Sequence, residues 1–580
     1  MKILLKVKHF TNHISPRLCS RFLSNAQRLY NPQNFSDYED LKRNYKLDFP
    51  EHFNFASDIL DKWTAAKKDG SKKPSPALWW INGEGKEVKW SFDELGFHSR
   101  KVANVLSDAC DLKPGDRVMV ILPRISEWWL LSVACIRAGL VIIPGTTQLT
   151  AKDILHRLQK SEAKCIITSQ ELAPAIDSIS NQAPLLKTKM TVTGKREGWL
   201  SFQDLYTAAG DNHTCVRTKS MDPMIIYFTS GTTGFPKMVE HSHCSYGLGH
   251  TITGRYWLDL SPCDVFWNVS DPGWAKSGWC SIFSPWIQGS CVFAHYMPRF
   301  DPIVVLETLS NYPITAFCGS TTTYRMLLLC DPSRYRLKSL RQCSSGGEPF
   351  NPQVMEQWKV KTGLDIYEGY GQTETVLVCG TFKGMEIKPG SMGKASPSYD
   401  VQIVDADGNT LPPNQEGDIG IRIAPQRPFY LFTRYTGDPE ITASSQRGDF
   451  YLTGDRATRD EDGYFWFVGR SDDVISSSGY RIGPFEIESA LLEHPAVVES
   501  AVVSSPDPIR GEVVKAFVVL SPTYTGHDQE ALTKELQEHV QKVTAPYKYP
   551  RKIEFVEELP KTVSGKIRRN ELRNKEWGKA

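Results

Sequence analysis

The stretch "IIYFTSGTTGFPK", Ile225 to Lys237, passes abruptly from one chemistry to another. A β-branched and aromatic run stops at Phe228. Four hydroxyl residues follow (Thr229, Ser230, Thr232 and Thr233), jointed by Gly231 and Gly234 and closed by Phe235, Pro236 and Lys237. Clusters of Gly, Ser and Thr after a strand usually mark a surface turn. Here the glycines let successive backbone N–H groups face one point, and a concave row of such groups binds anions. The hydroxyls can donate to phosphate oxygens, and Lys237 brings positive charge. The common phosphate loop requires G-x-x-x-x-G-K-[ST]. This stretch lacks the adjacent Gly-Lys, so it reads as a phosphate loop of another type.

Around it lie 580 residues, enough for two or more domains, 40% apolar and 23% charged as in ordinary globular proteins. A net charge of +2 gives no field that calls for nucleic acid or an acidic membrane. Thirteen cysteines without a C-x-x-C form neither a zinc pattern nor a small disulfide scaffold, and suit a reducing compartment. There is no H-E-x-x-H, and "HSH" at 241–243 reads as a plain loop. The leader differs from the rest. It carries Lys2, Lys6, Lys8, Arg17, Arg21 and Arg28 and no acid before Asp37, so residues 1–30 are expected to be a mitochondrial transit peptide. The most apolar later run, 128–143, contains Arg137 and Gly139, so no transmembrane helix is expected.

From about residue 50 strand and helix signals alternate. "DRVMVILP" (116–123), "LVIIPG" and "KCIITS" read as strands, while "SEWWLLSVACIRAG" (126–139) and "TAKDILHRLQKSEA" read as helices. Such alternation implies parallel sheets covered by helices, and it recurs across 225–345. Between roughly 390 and 470, alternating runs joined by Asp-Gly turns suggest a hairpin-rich barrel or sheet. "SDDVISSSGYRIGP" after Arg470 reads as a linker, and the remainder as a small α+β unit whose first helix opens at Pro484.

The loop is accompanied, in order, by "GGEP" (346–349), "YGQTE" (370–374), "TGD" (453–455), "GR" (469–470), "GYRIGPFEIE" (479–488) and "PKTVSGK" (560–566). Each is weak alone. Together they resemble the adenylate-forming enzymes and, through "WWINGEGKEVKWSF", "SGYRIGPFEIESALLEHPAVVESAVVSSPDPIRGEVVKAFVV" and "TAPYKYPRK", the acyl-CoA synthetase medium-chain family, over about residues 45 to 578. The resemblance implies an α/β fold. A large N-terminal domain of helix-covered sheets (31–471) would include a small β-barrel-like subdomain at about 390–470. A hinge at Asp472 would lead to a small mobile α+β C-terminal domain (472–580).

The implied reaction joins a carboxylic acid to coenzyme A through acyl-AMP, with ATP and Mg²⁺. The opening loop, Thr229 to Lys237, would hold the β- and γ-phosphates. Glu368, Gly369, Tyr370, Gly371, Gln372 and Thr373 would border the nucleotide, with Tyr370 and Gly346–Pro349 near adenine and ribose and Thr373 at the α-phosphate. Glu374 would hold Mg²⁺, a hard cation that wants carboxylate oxygen. Asp455 would accept from the ribose hydroxyls, with Arg470 on the same sugar or on phosphate. Lys566 would enter the site only in the adenylating arrangement. Ser478, Gly479, Tyr480, Arg510 and Gln148 would contact CoA, and Arg481 the nucleotide or acyl-adenylate. Trp274 in "SDPGWAKSGW" would line the acyl tunnel. Three positions depart from the family: Pro272 stands where medium-chain relatives usually have Thr, "CGSTTTYR" (318–325) replaces proline or apolar residues around Gly319 to Thr321, and Ser476 replaces a usual Asn. The first two are expected to reshape the acyl pocket. The reading is a medium-chain fatty acid:CoA ligase of the mitochondrial matrix, taken as a monomer. An aryl or branched acid:CoA ligase, or a non-catalytic acyl or nucleotide binder, are its rivals.

Overall fold

The computed structural model describes residues 33–35, 37–68, 70, 75–229, 236–477, 480–508, 511–544, 547–562 and 565–578. The transit-peptide reading, Ser230 to Phe235, Ser478, Gly479 and Arg510 fall outside them. The strands read at 116–123, 141–145 and 165–168 form at Arg117–Ile121, Val141–Gly145 and Cys165–Thr168, pair in parallel, and are buried almost throughout. A parallel sheet covered on both faces needs such continuous apolar runs. The helix between the last two, Ala151–Ser161, starts at a reciprocal cap between Thr150 and Asp153 and stops where Glu162 turns left-handed. Ser126–Arg137 is buried nearly all round. Its one buried charge, Arg137, is tied to both oxygens of Asp61 at 2.9 and 2.8 Å and to Ser99. That pairing lets the charge sit inside the core. No described helix is long and apolar enough to cross a membrane.

Two large sheets carry the site. The first runs, in spatial order, Arg434–Tyr435, Lys237–Ser242, Pro223–Thr229, Val141–Gly145, Arg117–Ile121, Cys165–Thr168, Thr188–Thr191 and Leu200–Ser201. The second has nine strands, with Val265–Asn268, Ala316–Gly319, Gln342–Gly346 and Ile366–Gly371 adjacent and parallel. Parallel strands end on the same side, and ligands of open α/β sheets bind beyond those ends. The hairpin-rich stretch becomes a five-stranded antiparallel sheet in which Phe450–Arg459 pairs with both Gly417–Arg422 and Phe465–Arg470. The C-terminal unit is a five-stranded sheet with helices Pro484–Leu492 and Gln529–Val543 packed on it.

Two local readings are corrected. "SDDVISSSGYRIGP" is not a linker throughout: Ile475–Ser477 and Tyr480–Ile482 form an antiparallel pair in the C-terminal sheet. The reason is burial. Ile475 and Ile482 face each other across the pair and are wholly enclosed with Ile487 and Leu491. Each such side chain stabilises by about 1.5–3 kcal/mol. "HSH" is no plain loop either. His241 and Ser242 end the strand Lys237–Ser242, and His243 begins a buried helical turn capped by Ser242.

Candidate active site

The opening stretch is a hairpin. Pro223–Thr229 and Lys237–Ser242 are antiparallel, and Thr229 pairs with Lys237, so the glycine–hydroxyl loop leaves and returns at adjacent points. This differs from the strand-to-helix geometry of the common phosphate loop. Thr229, Pro236 and Lys237 line a cleft of about 2040 Å³. The Lys237 ammonium stands 5.4 Å over the ring of Tyr435, within cation–π range. The Tyr435 hydroxyl donates to Glu374 Oε1 at 2.8 Å. Burial raises the Glu374 carboxyl above the usual carboxylate range, while Tyr435 and the charges of Arg470 and Lys237 pull it down. A nearby phosphate would not favour the ionised carboxylate; a cation would. Among the described residues no group of three or more His, Cys, Asp or Glu could hold a metal. One carboxylate beside a phosphate loop nevertheless fits Mg²⁺, which takes one or two carboxylates and completes its shell with phosphate oxygens and water.

In the same cleft, Asp455 collects three donors. Tyr370 Oη and Gln372 Nε2 reach Oδ2 at 2.5 and 2.6 Å, and Arg470 Nη1 reaches Oδ1 at 3.1 Å. Asp455 and Arg470 are cross-strand partners, so the antiparallel register itself brings them together. Gly454, within the strand Phe450–Arg459, takes φ +73°, and a side chain there would press on the Arg470 guanidinium. Burial works against the Arg470 charge, but Asp455 and Asp472 outweigh it and hold the guanidinium more firmly protonated than usual.

Glu368, Gly369, Tyr370 and Gly371 close the strand Ile366–Gly371 and line the same cleft, followed by Gln372, Thr373 and Glu374. Gly369 cannot carry a side chain, because a Cβ would fall 2.5 Å from the Trp257 ring. Burial pushes the Glu368 carboxyl up to about 8. Its Oε1 accepts from Phe350 N at 3.3 Å, and its Oε2 has no partner among the described residues. A protonated, half-satisfied carboxyl at a nucleotide-sized cleft can donate to a ligand acceptor.

His241 is the functional residue that the linear reading missed. It is fully buried, its Nε2 lies 2.6 Å from the Thr373 carbonyl oxygen, and its Nδ1 lies 3.0 Å from Ser245 Oγ. A carbonyl only accepts, so Nε2 carries the proton and Nδ1 accepts from Ser245. Burial pushes His241 down to about 3, which keeps it neutral. The signal was available: Lys237, Val239 and His241 share one face of a strand. Tyr435 had no such signal, because its place beside Glu374 comes from pairing with Val239 far along the chain.

The remaining residues fall as follows. Trp274 lines the cleft just before the short helix Ala275–Gly278. Ser320 and Thr321 line it too, but Pro272 is buried outside the lining. Its neighbour Gly273 lines the cleft and is closely packed, its Cβ position 2.2 Å from Thr146 N. Gln148 is exposed at the cleft. Lys566 is exposed on a turn in which Thr562 N donates to its carbonyl, and it shares the cleft with Lys237, Thr373 and Asp455. Asp472 stands between the two sides: Arg470 Nε is 3.8 Å from its carboxylate, and Arg573 of the last helix donates to its carbonyl. Tyr480 and Arg481 lie on the strand Tyr480–Ile482.

A cleft that gathers the ends of the Thr229–Lys237 hairpin, Glu374 and the Asp455–Arg470 pair suits a nucleotide-using enzyme. Comparisons place it more narrowly. Residues 66–426 match the AMP-binding enzyme family and residues 486–566 its C-terminal domain. The mouse mitochondrial acyl-coenzyme A synthetase ACSM3 is 62% identical over all of both chains. The human one is 64% identical over 96% of this chain and 95% of its own, and human mitochondrial ACSM5 is 62% identical over 91% and 92%. Among solved structures, the anthranilate CoA ligase AuaEII in complex with anthranoyl-AMP superimposes with a TM-score of 0.81, at 31% identity, over 91% of this chain and 98% of that one. A Brucella canis acyl-CoA synthetase gives 0.71 at 33%, over 94% and 100%. The chain belongs to the AMP-binding enzymes and, within them, to the acyl-CoA synthetase medium-chain family.

Proposed function

We propose that this chain is an ATP-dependent medium-chain fatty acid:CoA ligase that works as a monomer in the mitochondrial matrix. The observation that carries the reading is the meeting of Lys237, Thr373, Glu374, Asp455, Arg470 and Lys566 in one cleft, although they span more than half the sequence. A carboxylate oxygen of the acid attacks the α-phosphorus of ATP, the α–β bridging bond breaks, and pyrophosphate leaves. The CoA thiolate then attacks the acyl carbon and expels AMP. No protein nucleophile is needed, so positioning and charge stabilisation carry the chemistry.

Lys237 and the hairpin loop stabilise charge growing on the leaving pyrophosphate. Thr373, held through its carbonyl by His241, meets the α-phosphate. Asp455, already oriented by three donors, accepts from the ribose, and Arg470 spans sugar and hinge. Glu374 is the residue that would hold Mg²⁺, which supplies charge neutralisation to the phosphates when bound. Lys566 contacts oxygens near the α-phosphorus during the first half-reaction. We assign 31–471 to the large domain and 472–580 to a small one that turns about Asp472, so that Ser478 to Tyr480, with Gln148 and Arg510, face CoA in the second half-reaction. Arg481 contacts the nucleotide or the acyl-adenylate, and Trp274 borders the acyl chain.

The test is a panel of straight-chain acids from two to twelve carbons, with benzoate, assayed for AMP release with and without CoA. CoA-dependent release peaking among medium chains is expected. Preference for benzoate, or no AMP release with any acid, overturns the reading.

A further inference from the structure

We infer that Cys280 and Cys318 form an oxidisable thiol pair at the wall of the cleft, which hydrogen peroxide converts to a disulfide that shuts off acid activation reversibly. The pair itself stands apart from the ligase reading above; only the effect on acid activation rests on it. Cys280 belongs to the helical segment Trp279–Phe283 and Cys318 to the strand Ala316–Gly319. Three contacts fix the segment over the strand. Lys276, one turn before Cys280, donates through Nζ to the Gly319 carbonyl at 3.0 Å and to the Gly346 carbonyl at 2.8 Å. Ser281, next to Cys280, accepts from Asn268 Nδ2 at 3.0 Å, and Asn268 is the strand partner of Cys318. Gly278 packs so closely that a Cβ there would fall 2.3 Å from Tyr227 Oη. Both thiols are buried and hydrogen-bonded to each other. Cys280 and Lys276 line the cleft between Trp274 and Trp279, so the pair lies directly behind the cleft wall.

The surroundings make the pair reactive as well as buried. An ammonium has three protons, and Lys276 gives two to the strand-end carbonyls and the third to the Cys318 sulfur. The Cys280 S–H, donating to Cys318, and the Lys276 charge hold the Cys318 thiol below the usual range although burial opposes them. Cys280 is held above that range by the same hydrogen bond and by burial, so it keeps its proton. A thiolate beside a lysine, with a second thiol in contact, is the setting in which cysteines oxidise to disulfides. Cys110 and Cys165 supply the contrast. They too are hydrogen-bonded, but Cys165 is held well above the usual range and neither is among the described residues that line the cleft.

The Cys318 thiolate attacks one oxygen of hydrogen peroxide. An S–O bond forms, the O–O bond breaks, and the departing hydroxide takes the proton of Cys280 and becomes water. The Cys280 thiolate then attacks the Cys318 sulfur, the S–S bond forms, the S–O bond breaks, and hydroxide leaves to solvent. The two sulfurs lose two electrons and the peroxide gains them. A disulfide demands its own geometry, so the segment that carries Trp279 is drawn onto the strand and Lys276 loses its sulfur acceptor. Displacing a substrate-positioning wall by about 1 Å costs up to about 10²-fold in rate.

The experiment treats the whole protein with hydrogen peroxide, blocks free thiols with iodoacetamide, and maps an unreduced digest by mass spectrometry. kcat/KM for pyrophosphate release with octanoate is measured before treatment, after it, and after dithiothreitol. A peptide joining Cys280 to Cys318 is expected, without a Cys110–Cys165 bridge, together with a fall in kcat/KM of about tenfold or more that dithiothreitol reverses. Cys280→Ser should stop at a Cys318 sulfenic acid that dimedone labels, and Cys318→Ser should leave Cys280 unoxidised. Absence of the joined peptide from the treated wild type overturns the inference, whether or not the variants fold. A complete bridge with kcat/KM unchanged overturns the shut-off, and so does equal, dithiothreitol-reversible loss in wild type and Cys318→Ser, each measured against its own untreated activity. An untreated wild type that activates no acid removes the ligase reading, and the peptide map still decides the thiol pair.

Discussion

His241 gives a prediction whose size follows from the structure. Buried and donating to the Thr373 carbonyl, it is held neutral down to about pH 3, against about 6.5 in an unfolded chain. Between those values the unfolded chain binds a proton that the folded chain refuses. Stability is therefore complete above pH 6.5 and is lost as pH falls toward 3. At pH 5.5 the penalty is about 1.4 kcal/mol for this residue, one pH unit below the unfolded value. His243, also pushed down to about 3 by burial, adds a similar amount. The Glu368 carboxyl works the other way: raised to about 8, it contributes stability that is full below the unfolded value near 4.5 and is lost as pH rises through 8. Comparing two proteins that differ only at 241 cancels that term. His241→Gln keeps an N–H donor for the Thr373 carbonyl but cannot titrate. Urea unfolding followed by tryptophan fluorescence at pH 8, 6.5 and 5.5 should show the variant losing about 1.4 kcal/mol less than the wild type between pH 8 and 5.5. His241→Phe leaves the carbonyl unpaired, which costs about 1–3 kcal/mol. Its pyrophosphate exchange should fall by about tenfold or more, while His241→Gln stays within a few fold. An identical pH dependence in wild type and His241→Gln would refute the buried neutral donor. Equal activity of the Phe and Gln variants would refute its hold on Thr373.

Three further outcomes are expected. Glu374→Gln should raise the Mg²⁺ concentration needed for adenylation sharply with the unfolding temperature little changed, and a superimposable Mg²⁺ titration would remove Glu374 from the metal site. Asp455→Ala strips one buried partner from Arg470, Tyr370 and Gln372 and should cost about 1–3 kcal/mol of stability as well as ATP binding; a fully stable variant that binds ATP normally would contradict that arrangement. Lys566→Ala should lose about 10²-fold or more in pyrophosphate exchange yet still convert supplied acyl-AMP and CoA to acyl-CoA, and equal loss of both half-reactions would exclude the turning of a small domain about Asp472.

The sequence alone determined the elements whose signals are local. Thr150 and Asp153 start a helix by their spacing, Val141–Gly145 and Cys165–Thr168 declare themselves as buried strands, and the glycine–hydroxyl loop announces a phosphate ligand before any pairing is known. Motif order added the nucleotide residues, since Tyr370, Asp455 and Arg470 mean little apart. Tertiary structure decided everything that depends on register and on what lies across the cleft. Only strand pairing sets Asp455 opposite Arg470 and Tyr435 beside Glu374. Only burial turns "SDDVISSSGYRIG" into two strands through Ile475 and Ile482, or makes His241 a neutral donor in place of a loop residue. Lys276 shows the limit most plainly. In the sequence it is one lysine among many, most of them solvated. Two carbonyls at neighbouring strand ends, contributed by residues 43 and 70 positions away, fix its ammonium in the cleft. Such contacts depend on how distant segments meet, and no local pattern of residue types encodes that meeting.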